Sequence, residues 1–125
     1  MSDEAEKVSL EVAEADVRRV LDALDLELDS KDVEDIAVLR FLTRAIQRGN
    51  LSVDDEARFV LLLDQPVVFN HPKGADLMQL DKKSGAIERQ IAIMASVTKK
   101  EPKFFAGLKT PQFKLCQAIV GLFLS

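Results

Sequence analysis

Residues 66 to 98 read PVVFNHPKGADLMQLDKKSGAIERQIAIMASVT, and the rest of the chain is organised around them. A short apolar run, Pro66 to Phe69, enters a loop that holds the only histidine, His71, followed by Pro72. Lys73-Gly74-Ala75-Asp76-Leu77 opens a polar stretch, and that stretch feeds the most apolar helix candidate of the chain, Ile87 to Val97. An extended segment thus gives way to helices here, which points to an α+β fold.

Going back toward the N-terminus, Asp64-Gln65-Pro66 breaks a strand, because proline cannot donate to a ladder. Leu51 to Leu63 reads as a β-hairpin whose turn lies within Asp54 to Ala57, where side chains bond their own backbone. Its second strand, Phe59 to Leu63, is too apolar to be fully exposed, and Val67 to Phe69 forms a third strand. Two or three short strands need cover, which helices supply. Ala13, Val17, Val20, Leu21 and Leu24 repeat at i, i+4, i+7, i+8 and i+11, the stripe of an amphipathic helix. After the break at Asp29-Ser30-Lys31-Asp32, where Ser30 or Asp32 is placed to cap, a second helix runs from Val33 to Arg48. It is apolar over a broad arc (Val33, Ile36, Ala37, Leu39, Phe41, Leu42, Ala45, Ile46) and is expected to be well buried. Gly49-Asn50 closes it, since both tolerate a left-handed backbone.

Toward the C-terminus, Gly74 to Asp81 is expected to start helical, and Lys82-Lys83-Ser84-Gly85 to interrupt it. From Ala86, Ile87, Ile91, Met94 and Ala95 share a face that Ala92, Ile93 and Val97 widen, and Thr98-Lys99-Lys100 ends the helix with the charge its dipole prefers. Pro102 to Leu108 forms a short helical turn with Phe104 and Phe105. Thr110-Pro111 reads as an N-cap followed by proline at the first helical position, and the last helix places Leu115, Ala118, Ile119, Leu122 and Phe123 inward. The expected architecture is an N-terminal helical hairpin over 9–49, a small antiparallel sheet of two or three strands over 51–69, and three to four helices over 74–124. Together they make one domain over 9–125 behind a flexible polar segment, 1–8.

With 47% hydrophobic and 30% charged residues, the 125-residue chain has a globular composition. Its single cysteine allows no internal disulfide, which fits a reducing compartment. No apolar run is long enough for a membrane span, and the acidic Met1 to Lys7 lacks a signal core, so the expected location is the cytoplasm. The net charge of −4 is unevenly spread. Residues 1–57 hold 16 acidic and 7 basic side chains, a net of −9, and residues 58–125 hold 5 and 10, a net of +5.

No motif of enzyme chemistry is present: no glycine-rich phosphate loop, no GxSxG elbow, no HExxH helix. His71 has no nearby Cys, Glu or second His, and one imidazole does not make a metal site. Cys116 lies among Leu115, Ala118 and Ile119, as a small core residue does. Asp54-Asp55-Glu56 lacks the spaced ligands and the glycine of a calcium loop and reads as a solvated turn. Lys99, Lys100, Lys103, Lys109 and Lys114, with Phe104, Phe105 and Phe113 among them, make a basic cluster of the kind that binds nucleic acid, but the chain is acidic overall and has neither tyrosine nor tryptophan. No catalytic, cofactor-binding or metal-binding residue is therefore assigned. Phe104-Phe105 between lysines reads equally as a protein contact or as core.

Several features come in a distinctive order. A strand ends in a proline, Leu61 to Val67. Pro72, Gly74, Asp76 and Leu77 follow in a P-x-G-x-D-L-like segment, with Asp81 after it. Ile91 to Thr98 is an apolar helix that ends in threonine. Leu108, Phe113, Val120 and Phe123 make up an L-x-x-x-x-F segment and a terminal apolar helix. In this order residues 59 to 123 resemble the tail assembly chaperones of long-tailed bacteriophages and prophages, in particular the small Mu-like tail assembly family. Ala45 to Asp54 resembles the lead-in to the first hairpin of such proteins; residues 9–49 add helices ahead of the family's usual start.

The resemblance implies a non-catalytic role in the host cytoplasm. Its partner would be the tail tape-measure protein, kept soluble while tube subunits assemble around it, and a longer frameshifted form of the chain would be a second partner. Helix-in-groove binding suits that role, and Met94, Phe104, Phe105, Leu108 and Phe123 are the expected lining. The apolar end, Leu122-Phe123-Leu124-Ser125, either packs on the domain or continues into the longer product. The alternative is a small phage-encoded nucleic-acid-associated or regulatory protein that uses the basic C-terminal half.

Overall fold

Ser9 starts the first helix: its Oγ accepts the Val12 N–H at 3.2 Å, which satisfies one of the free donors of the first turn. In a computed structural model that describes residues 8–28, 32–78 and 85–124, α1 spans Leu10–Ala23 and buries Ala13, Val17 and Val20, the stripe read from the sequence. It ends in a Schellman motif. The Leu26 N–H donates to Leu21 O at 2.9 Å and the Asp25 N–H to Asp22 O at 3.1 Å, with Asp25 left-handed at φ 55°. The expected flexible segment lies, all but Val8, outside the described residues.

Asp32 caps α2, Val33–Gln47, by accepting from the Glu34 and Asp35 N–H groups at 2.8 and 3.2 Å; Ser30, the other candidate, lies outside the described residues. A second Schellman motif closes α2 through Gly49 at φ 79°, with Asn50 N–H to Ala45 O at 2.9 Å and Gly49 N–H to Ile46 O at 3.1 Å. Glycine is needed here because the position is left-handed. The expectation that α2 is buried over its whole apolar arc needs correction. Leu42, Thr43, Ala45 and Ile46 are buried, but Val33 is 80% exposed, Phe41 is 40% exposed and Ala37 is exposed. Packing against α1 and β1 covers one side of the helix, and the arc of α2 is wider than that side.

The strands are short: β1 Leu51–Val53, β2 Phe59–Leu61 and β3 Val67–Phe69, in the order β1-β2-β3. β1 and β2 are antiparallel, with Leu51 opposite Leu61 and Val53 opposite Phe59. β2 stops at Leu61, two residues before the expected end, and Leu62 is 39% exposed. The hairpin turn is a three-residue loop, Asp55 to Ala57, whose third residue is left-handed. The Ala57 N–H reaches Asp54 O at 3.0 Å, the Asp54 N–H reaches Arg58 O at 3.0 Å, and Ala57 lies at φ 59° where glycine is usual.

The chain falls into two compact units, Met1–Val68 and Phe69–Ser125. In the first, α1 packs on α2 and both meet β1. Leu51, Phe59, Leu61 and Val67 are buried, as strand residues facing a core are. In the second, α3 (Gly74–Met78), α5 (Pro102–Ala106) and α6 (Thr110–Phe123) all pack against α4 (Ala86–Thr98). The expected continuation of α3 to Asp81 and the interruption at Lys82-Lys83-Ser84 lie outside the described residues.

α4 buries Ile93, Met94, Val97 and Thr98 in its C-terminal half, and Ile87, expected on the inner face, is 59% exposed in its first turn. α6 begins one residue early. Lys109, not Thr110, is the N-cap, and its N–H is satisfied by Gln112 Oε1 at 3.2 Å. Pro111 still falls in the first turn, where its missing N–H costs nothing. α6 buries Leu115, Ile119, Leu122 and Phe123 as expected, with Cys116 and Val120 in addition; Ala118 is half-buried.

The left-handed Ala57 is strained because its Cβ is forced close to the following carbonyl oxygen. Ala57→Gly is therefore expected to stabilise the chain by about 0.5–1 kcal/mol, the relief of the left-handed strain less the added freedom of the unfolded chain. Thermal unfolding followed by circular dichroism should show a midpoint raised by roughly 2–5 °C; an unchanged or lowered midpoint would contradict the turn geometry.

Candidate functional site

The segment from Asn70 to Asp76 is held to α4 by polar bonds. The Asn70 N–H and Nδ2 both donate to Val97 O, at 3.2 and 2.7 Å. Asp76 Oδ2 accepts the Lys73 N–H at 2.7 Å, and Ser96 Oγ donates to Asp76 Oδ1. Thr98 Oγ1 donates back to Met94 O at 2.6 Å, so this buried hydroxyl is satisfied within its own helix. Of the four P-x-G-x-D-L positions, Asp76 makes the bonds that tie the loop down. Gly74 has open space where a Cβ would stand, so close packing does not require it. His71 is half-buried in this loop. Among the described residues no group of three or more His, Cys, Asp and Glu side chains is placed to hold a metal ion. This clamp shapes the loop.

Cys116 is fully buried, and burial pushes its thiol up to about 12. A thiol that stays protonated at neutral pH is a core atom and not a nucleophile.

The acidic turn is used by its own hairpin. Asp54 Oδ1 accepts the Glu56 and Arg58 N–H groups at 3.0 and 2.9 Å, and Oδ2 accepts the Arg58 Nε at 2.8 Å. Arg19 Nη2 from α1 donates to Asp54 O at 2.7 Å and so ties the turn to that helix. Burial would raise the Asp54 carboxyl, but the Arg58 N–H and guanidinium and the Glu56 N–H outweigh it and hold the group below its ordinary value of 3.8.

The five expected partner-binding residues separate. Phe105 and Met94 are fully buried and Phe123 is buried, so all three belong to the packed interior. Phe104 and Leu108 are half-buried. Phe104 stands edge-to-face on Phe105 with centroids 5.1 Å apart, and Lys100 Nζ lies 5.7 Å from the Phe104 centroid, a cation–π distance. Adjacent positions on one helical turn point about 100° apart, which is why one ring enters the core and its neighbour does not. Lys99, Lys100, Lys103, Lys109 and Lys114 are exposed. The Lys103–Glu101 pair at 4.0 Å is a solvated contact of small worth.

Two grooves with apolar side chains lie on the first unit, where sequence reasoning assigned no site. Leu10, Ala37, Leu39 and Phe41 line a groove of about 600 Å³ with Arg40 and Arg44. A second groove of about 440 Å³ is lined by Val17, Leu21, Leu26, Leu28 and Leu39. The signal was present in the composition of α2, whose apolar arc is wider than one packed face.

No family model, curated protein or solved structure matches this chain.

Phe105→Ala is expected to cost about 3–5 kcal/mol, as for a fully buried aromatic, while Phe104→Ala should cost about 1 kcal/mol for a ring that is only partly covered; urea unfolding of the two variants checks the ranking. The pH dependence follows from Asp54. Its folded value lies below its unfolded one, so its contribution is complete above the unfolded value and is lost as pH falls through about 4 and then through the lower folded value. Asp54→Asn should remove that part of the acid dependence, so that variant and parent converge in stability as the pH falls through this range; a gap that stays constant would show that Asp54 is not the titrating group.

Proposed function

We propose that the chain is a non-catalytic, protein-binding chaperone of phage or prophage tail assembly, working in the host cytoplasm by holding the tape-measure protein soluble. The observation that carries the reading is the order of features over residues 59–123 in which the chain resembles that family: a strand ending before Pro66, the Pro72-x-Gly74-x-Asp76-Leu77 segment, an apolar helix ending at Thr98, and the terminal helix from Thr110. The packing supports a shape-based role. The segment's aspartate clamps a loop, the only cysteine is inert core, and large apolar side chains such as Val33, Phe41 and Met78 are left exposed, as on a surface made to meet another chain. None of the helices among the described residues is long and apolar enough to cross a membrane.

Five exposed lysines between 99 and 114 favour a second reading, a nucleic-acid-associated or regulatory role. Binding of that kind should weaken steeply between 50 and 200 mM salt, roughly in step with the number of phosphates contacted; no retardation of DNA or RNA at the lower salt removes it.

Co-expression with the tape-measure protein of the same phage or prophage should yield a complex that co-purifies and should raise the soluble fraction of that protein. Neither effect would be seen if the reading is wrong. Because Phe105 is core, a variant of both phenylalanines would unfold, so the C-terminal contact is tested with Phe104→Asp alone. That variant is expected to fold and to weaken the complex if this face is used.

A further inference from the structure

The exposed side of α2 carries two parallel rows. Val33, Ala37 and Phe41 form an apolar row at i, i+4 and i+8, and Arg40, Arg44 and Arg48 form a basic row of the same spacing beside it. All six are exposed. The apolar row is not a fringe of the core: Val33 is 80% exposed and Phe41 40%.

The basic row is equally unexplained by the fold. None of the three arginines has a carboxylate three or four residues away, and none makes an ion pair among the described residues. Each pair at i, i+4 therefore repels, at about 0.2–0.5 kcal/mol. The helix dipole favours Arg44 and Arg48 near the C-terminus, but its effect fades within the last turn and leaves Arg40 unrewarded. These three are among only seven basic side chains in residues 1–57, a stretch of net charge −9. Arg40, Arg44 and Phe41 also line the groove beside Leu10 and Glu14 on α1, so the groove holds two arginines to one carboxylate.

We propose that this face of α2 is a docking groove for an amphipathic helix of a partner protein whose apolar stripe is flanked by carboxylates. The inference rests on the protein-binding reading above and names where, and by what chemistry, the partner is held. A row at i±4 spacing receives the ridge of another helix. From Val33 to Arg48 the face runs roughly 22 Å, enough for about four turns of partner. Charge complementarity selects the occupant. The arginines would donate to carboxylates spaced one turn apart, with the forked geometry suited to them. A second copy fits worse, since an antiparallel α2–α2 pairing centred on this face sets Arg40 against Arg40.

The probe is a synthetic helical peptide of about four turns with leucines at i, i+3, i+4 and i+7 and glutamates flanking them, and a twin with lysine in place of each glutamate. With the full chain in 50 mM salt, fluorescence anisotropy should show saturable binding of the glutamate peptide and none of the lysine peptide. Arg40→Glu with Arg44→Glu, and separately Phe41→Asp, should each weaken binding at least tenfold, with parental circular dichroism and melting. If the double reversal fails to fold, Arg40→Gln with Arg44→Gln takes its place, with a loss of threefold or more expected. Equal binding of both peptides, or binding that survives these substitutions, overturns the proposal. So does a concentration-dependent dimer in sedimentation that Arg40→Glu abolishes, which would assign the face to a second copy. The tests separate from the functional reading. A tape-measure complex that survives the α2 substitutions overturns this site alone, whereas peptide binding without a tape-measure complex overturns the functional reading alone.

Discussion

Strands of three residues cannot hold a sheet together by their own hydrogen bonds; they persist only where one face is covered. In the first unit that cover comes from α1 and α2, which meet β1 and leave Leu51, Phe59 and Leu61 out of water. The requirement reaches into the local chemistry. The hairpin turn is braced from inside by the Asp54 carboxylate and from α1 by Arg19. Both helices stop on left-handed residues, Asp25 and Gly49, which turn the chain sharply at their ends.

The second unit solves a similar problem with a helix. α4 carries the packing of α3, α5 and α6, and its C-terminal half also accepts the polar bonds of the loop that precedes α3. Asn70 spends both its backbone and side-chain donors on one carbonyl, Val97 O, because that carbonyl lies in the last turn of α4 and has no partner further along the helix. His71 sits half-buried in the same loop.

Much of the element order was legible. The i, i+4, i+7 spacing of Ala13, Val17 and Val20 names a buried stripe, and those three residues are buried. The Asp54–Ala57 turn, the break at Pro66 and the stop at Gly49 each follow from what one residue type permits its backbone. Less legible were Ser9 as the first cap and Lys109 as the last, since a cap is defined by where the first helical turn closes, and that varies by a residue for the same sequence. The candidate site was the least legible part. Phe105 and Phe104 are the same residue type in the same local setting, and only the direction of each ring separates core from surface.

What the chain by itself determined is the kind of each element and, to within a residue or two, where it ends, because propensity, capping and proline or glycine restrictions act within a few residues. It also determined that the chain has one cysteine and one histidine, so no disulfide can form within it. Tertiary structure decided sidedness. The apolar arc of α2 is wider than any single neighbour can cover, so the sequence could not tell that Leu42 and Ile46 face α1 and the sheet while Val33 and Phe41 face solvent. Periodicity measures how much of a helix wants burial. Which part obtains it depends on the partner surface, and that surface exists only once distant segments have come together.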